Sequence, residues 1–149
     1  MQRHLNESFV YVETKKLLTG LGWVLVAGEP SGGSNNLPRI EIRNPSMSDK
    51  GSKGSYKVDL ISTKNKNLLL TEVKVDFDVS DVEKLNIICN ERREHLKNAL
   101  QERLGLDIDE YYIIKSLSLQ NVHSEQVPLD FVCFVMEGSI IHPELLSKD

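Results

Sequence analysis

The segment Tyr56–Asp76, which reads YKVDLISTKNKNLLLTEVKVD, most constrains how this chain can fold. Two apolar runs, VDLI and LLLTEVKV, flank the polar stretch TKNKN, a pattern typical of two strands joined by a tight connection. The second run is apolar on both faces, which is typical of a central strand covered on both sides. The segment therefore predicts a hairpin inside a sheet rather than an exposed one.

Three charged residues interrupt these apolar strands. If the hairpin is centred between Asn65 and Lys66, Asp59 lies opposite Glu72, because both are equally far from that centre. Directly opposite side chains are about 5 Å apart, and like charges there repel each other. Lys74 follows two residues later and projects from the same face. Two acids and a lysine on one face can hold a divalent metal ion and a scissile phosphate.

Composition bounds the class of protein. The 149 residues fit one domain with a proper core, and no apolar run approaches the roughly 20 residues that span a bilayer. The N-terminal MQRHLNESF lacks the apolar core of a signal peptide. The two cysteines and four scattered histidines show no disulfide framework or zinc spacing. We expect reduced thiols and an intracellular, cytoplasmic protein.

The net charge of −4 is unevenly distributed. Residues 29–66 contain seven basic and four acidic side chains, so this segment is +3 and the remainder is −7. A local basic patch on an acidic protein can bind phosphate. The alternative is a solvated loop with ordinary surface lysines, which the charge alone favours.

Periodicity predicts the other elements in chain order. A helix is expected over about Leu5–Thr19, then a buried strand at Trp23–Ala27 and a long Gly- and Ser-rich loop, residues 28–55, with a short strand at Arg39–Arg43. After the hairpin, a Ser80–Glu83 capping box starts one helix that runs to about Leu104. Strands follow at Tyr111–Lys115 and Phe131–Met136, and the tail after Gly138 is expected to be peripheral. This order predicts a single α/β domain with a mixed central sheet flanked by helices.

Asp59, followed by Glu72-Val73-Lys74 on the next strand after an N-terminal helix, resembles the PD-(D/E)XK nuclease superfamily, which includes restriction endonucleases, Holliday-junction resolvases and Mrr-type enzymes. The resemblance covers roughly residues 5–136 and implies the restriction-endonuclease-like αβββαβ core. It also implies metal-dependent cleavage of phosphodiester bonds, usually in DNA with Mg²⁺. Val58 stands where the motif has proline, a position that varies widely in the superfamily.

The resemblance also implies roles for individual residues. Asp59 and Glu72 would bind Mg²⁺ or Mn²⁺, with the carbonyl of Val73, and Lys74 would hold or help deprotonate the attacking water. Many members carry a further glutamate on the first helix, and both Glu7 and Glu13 are candidates here, with Glu7 slightly favoured by the local sequence NESFV.

Basic residues supply candidate contacts to DNA. The residues in question are one on the second helix and four in or beside the long loop: Arg92, Arg39, Arg43, Lys50 and Lys53. Arg92 has an equally good alternative as an arginine whose stem packs on the sheet. Because cutting two strands favours two-fold symmetry, we expect a homodimer. The sequence thus indicates a Mg²⁺-dependent endodeoxyribonuclease; the alternative is a catalytically inactive nuclease-fold domain that binds nucleic acid or protein.

Overall fold

A computed structural model describes residues 6–28, 37–42 and 55–147. In these ranges the chain forms three α-helices and eight strands. The helices are α1 (Glu7–Gly20), α2 (Val79–Cys89) and α3 (Arg93–Leu104). The strands are β1 (Val24–Gly28), β2 (Glu41–Ile42), β3 (Tyr56–Lys57), β4 (Leu60–Lys64), β5 (Asn67–Asp76), β6 (Tyr112–Asn121), β7 (Phe131–Val135) and β8 (Ile140–Ile141).

Six strands form one mixed sheet in the order β1-β4-β5-β6-β7-β8. The first three are antiparallel neighbours, β5 and β7 each run parallel to β6, and β8 is antiparallel to β7. Helices α2 and α3 form the crossover between β5 and β6, as a parallel pair requires. Strands β2 and β3 form a separate two-stranded sheet. The prediction of an α/β domain with a mixed sheet and flanking helices is confirmed.

The predicted hairpin has the expected register. Leu60 pairs with Thr71 and Lys64 with Asn67, so the strands are centred between Asn65 and Lys66. Asn65 has a positive φ of 57°, which asparagine tolerates better than most residues, and this conformation allows the tight reversal. Continuing the register by one residue places Asp59 opposite Glu72.

Strand β5 lies between two hydrophobic layers. Leu69 and Val73 pack in the layer with α1, and Leu68 and Leu70 pack in the layer with α2 and α3. All seven residues from Asn67 to Val73 are buried. The prediction of a central strand covered on both faces is therefore confirmed, and α1 and α2 lie on opposite sides of β5, which carries Glu72.

The predicted second helix is wrong in two respects. It is two helices, since α2 ends at Cys89 and α3 begins at Arg93. The connecting residues 90–92, NER, offer no apolar side chain to the sheet. The Arg92 N–H donates to the carbonyl of Ile87, and this bond closes the end of α2. The α2 N-cap is Asp78, whose side chain accepts from the Ser80 N–H, so the expected Ser80 capping box is not formed.

Other differences concern the length of β6 and the two edge strands of the sheet. Strand β6 extends to Asn121, six residues beyond the expected end, because its alternating serines and leucines continue the pairing with β5. The tail after Gly138 is not merely peripheral, since it supplies β8 as an edge strand. Strand β1 is the opposite edge and is only partly buried, with Val24 60% exposed.

None of the described helices is both long and apolar enough to cross a membrane.

Candidate active site at the end of the hairpin

Asp59 and Glu72 lie where the β4–β5 ladder ends. One Glu72 oxygen, Oε2, accepts from the Asp59 N–H at 3.1 Å, and Asp59 Oδ2 accepts from the Val73 N–H at 2.8 Å. Each carboxylate thus bonds a main-chain N–H of the opposite strand just beyond the last ladder pair, Leu60 with Thr71. These crossed bonds fix both carboxylates side by side, so the proximity predicted from the register is present.

Glu72 has a strongly perturbed pKa. Its pKa is raised to about 8, chiefly by burial, with only 3% of the residue exposed, and in addition by the negative charge of Asp59. Lys84 opposes this shift, because its ammonium donates to Glu72 Oε1 at 3.0 Å. Both oxygens of Glu72 therefore have hydrogen-bond donors, one from the main chain and one from α2.

Lys74 lies on the same face of β5 as Glu72, as expected, but its partners are the N-cap of α2 and a residue of its first turn. Its Nζ is 3.0 Å from Asp78 Oδ2 and 3.5 Å from Asp81 Oδ2. The hydrogen bond to Asp78 raises the pKa of Lys74, so the side chain is a charged ammonium at neutral pH. A group in this state can donate hydrogen bonds and offset negative charge, whereas it cannot accept a proton.

Three residues at this site were not singled out from the sequence: Asp78, Asp81 and Lys84. Helix α2 runs back along β5, so that Asp81 lies over Lys74 and Lys84 lies over Glu72. Asp81 is buried, which raises its pKa. The signal in the sequence was the helical spacing, because Asp81 and Lys84 share the sheet-facing side of α2 with the buried Leu85 and Ile88.

The first helix brings Glu7, rather than Glu13, to this group. Partial burial raises the pKa of Glu7, and the charge of Asp59 raises it further, which places the two carboxylates within electrostatic range. Glu13, six residues further along α1, instead pairs with the exposed Lys16 at 3.5 Å. The two glutamates that the sequence left as alternatives thus occupy different environments.

The predicted DNA contacts are only partly described. Arg39 is exposed immediately before Ile40 and β2. Arg43, Lys50 and Lys53 lie outside the described residues. Arg92 does not lie on a continuous helix as expected; it is the partly buried residue that precedes α3.

The donor set at Asp59 and Glu72 suits a hard cation. Within residues 6–28, 37–42 and 55–147, no three His, Cys, Asp or Glu side chains converge closely enough to form a metal-binding group. Two carboxylates with the main-chain carbonyl of Val73 do not require a third side chain, and Mg²⁺ commonly binds one or two carboxylates and keeps several waters. The negative charge of Asp59 raises the pKa of Glu72, and this repulsion also favours a cation between the two carboxylates. These residues therefore fit a magnesium or manganese ion.

The wider cluster is acidic. Five carboxylates and two lysines influence one another electrostatically here: Glu7, Asp59, Glu72, Asp78, Asp81, Lys74 and Lys84. A fully ionised cluster of this composition is −3, which repels phosphate unless a cation is bound.

Comparison with known proteins gives no match to a family model, to a curated protein or to a solved structure.

Proposed function

We propose that this protein is a Mg²⁺- or Mn²⁺-dependent endonuclease that hydrolyses phosphodiester bonds in DNA. The observation that carries the proposal is the crossed pair of Asp59 and Glu72 beside Lys74 at the end of the hairpin. The order of elements also supports it: a helix, three antiparallel strands, a helical crossover and a parallel strand. This order is similar to the αβββαβ core of PD-(D/E)XK nucleases.

The chemistry follows from the residue types. Asp59 and Glu72 would hold the ion, with the carbonyl of Val73. When bound, the ion would polarise a phosphate oxygen and lower the pKa of its water, whose proton would pass to solvent as the water attacks phosphorus. The Lys74 ammonium would then hold the water and offset the charge that develops on the phosphate, while Asp78 and Asp81 orient it. Glu7 would add a further carboxylate at the rim.

The substrate and assembly belong to the same proposal. Arg39, with Arg43, Lys50 and Lys53 in the same part of the chain, would contact the DNA backbone, and Arg92 is a further candidate. Two-strand cleavage would be achieved by a homodimer with two-fold symmetry.

The test is cleavage of supercoiled plasmid with Mg²⁺, followed by gel electrophoresis. We expect nicked or linear product from the natural protein and a loss of about 10²-fold or more for Asp59→Asn and Lys74→Ala. Lys97→Gln is the matched control, because Lys97 is a lysine on α3 that pairs with Asp109 away from the site. Unchanged cleavage by Lys74→Ala, with folding checked by circular dichroism, would refute its role; no cleavage by the natural protein would refute the activity.

One observation favours a second candidate, a catalytically inactive nuclease-fold domain that binds nucleic acid or protein. Glu72 is buried, and its Oε1 already bonds Lys84. If that bond persisted in the presence of metal, Glu72 could not complete a metal site. Titration with Mn²⁺ separates the nuclease from the inactive domain, since only the nuclease requires that the metal ion bind.

A further inference from the structure

Lys84 is placed directly beside a candidate metal ligand. Its Nζ is 3.0 Å from Glu72 Oε1, and its side chain is 24% exposed while that of Glu72 is 4% exposed. The lysine therefore reaches from the solvent edge of α2 to a buried carboxylate. Lys74 differs in this respect, because its partners Asp78 and Asp81 are not the proposed ligands.

An ammonium and a divalent cation compete for the same carboxylate. Both oxygens of Glu72 already accept a hydrogen bond, Oε1 from Lys84 and Oε2 from the Asp59 N–H, and two positive groups a few ångströms apart repel each other. Metal binding at Glu72 is therefore expected to displace Lys84 from Oε1. The lysine stem is flexible and partly exposed, so the ammonium can move while α2 keeps it near the site.

We propose that Lys84 is a second functional cation of this site, which rests on the proposed nuclease function. Without metal its ammonium donates a hydrogen bond to Glu72; with a divalent cation bound at Glu72, the displaced ammonium would bind a non-bridging oxygen of the substrate phosphate. The net charge supports the second part, since the acidic cluster still needs positive charge to accept phosphate after one ion is bound. No proton or electron transfer at Lys84 is involved.

The proposal predicts opposite effects on metal affinity and on cleavage. Lys84→Met keeps the length of the side chain but removes its charge. We expect it to bind Mn²⁺ about tenfold more tightly, by electron paramagnetic resonance or calorimetry without DNA, because the competing ammonium is gone. We expect half-maximal cleavage at a lower Mg²⁺ concentration but a maximal rate reduced by about 10²-fold, which more metal does not restore.

Two further variants control the interpretation. Lys84→Arg keeps the positive charge and should retain cleavage within about tenfold of the natural protein. Lys97→Met should change neither Mn²⁺ affinity nor cleavage. If Lys84→Met does not fold by circular dichroism, Lys84→Gln replaces it in both measurements.

The outcomes separate the two proposals. If the natural protein binds Mn²⁺ and cuts DNA but the neutral Lys84 variant binds Mn²⁺ no more tightly, the role of Lys84 is refuted and the nuclease function stands. If the neutral variant binds Mn²⁺ more tightly but no form of the protein cuts DNA, the competition is supported, whereas the phosphate contact and the nuclease function are both refuted. If neither form binds Mn²⁺, both proposals fail.

Discussion

Replacing Glu72 by Gln should change how the stability of the metal-free protein depends on pH. The folded-state pKa of Glu72 is about 8, above the ordinary value of 4.5. Between these pH values the folded protein holds a proton that the unfolded chain has released. The contribution of Glu72 to the free energy of unfolding is therefore fully present below about pH 4.5 and is lost as pH rises through about 8.

The magnitude follows from the number of protons. One proton bound in the folded state alone changes the free energy of unfolding by about 1.4 kcal/mol per pH unit, so the natural protein should lose about 2.7 kcal/mol between pH 5.5 and 7.5 from Glu72. The Glu72 side chain is 4% exposed, so solvent screening reduces this little. In Glu72→Gln the loss should be absent, and the variant should be the more stable protein at pH 8.

The assay is urea unfolding in EDTA at several pH values, followed by the fluorescence of Trp23, which is the single tryptophan and is buried. Glu102→Gln on the exposed face of α3 is the control and should keep the slope of the natural protein. Glu7 and Asp81 have raised pKa values and contribute a residual slope of the same sign. Equal slopes for Glu72→Gln and the natural protein would show that Glu72 is ionised in the folded state at neutral pH, and the reasoning would fail.

Three further substitutions test the fold around the site by urea unfolding. Leu70→Ala, at a fully buried position of β5, should lower the free energy of unfolding by about 2–5 kcal/mol. Leu129→Ala, at a position 82% exposed, should change it by no more than about 0.5 kcal/mol, and equal effects would contradict the packing. Asp78→Ala should lower the urea midpoint because α2 loses its N-cap, and Asp78→Asn, which can still cap, should recover most of it. Gly105→Ala should cost about 1 kcal/mol because φ is 67° at the C-cap of α3, and a stabilising effect would exclude that conformation.

Local patterns predicted the strands better than the crossover. The hairpin register follows from two apolar runs placed symmetrically about Asn65 and Lys66, and the burial of β5 follows from its apolar residues on both faces. Continuous helical periodicity from Ser80 to Leu104 predicted one helix. Residues 90–92, which join the two helices, are all polar, so no apolar side chain anchors the middle of a single helix to the sheet.

Local sequence patterns also predict only part of the candidate site, and the part that they miss bears directly on function. Strand alternation is enough to place Asp59, Glu72 and Lys74 on one face, because their relation depends only on the hairpin register. Lys84 reaches Glu72 only because the short connection after Asp76 sends α2 back along β5, which is a matter of tertiary packing. The sequence motif therefore identifies the two acids. It does not show that Lys84, from the crossover helix α2, bonds Glu72. Whether metal displaces that lysine decides between an active nuclease and a binding domain, so the Mn²⁺ titration of Lys84→Met examines the step that the motif alone leaves undetermined.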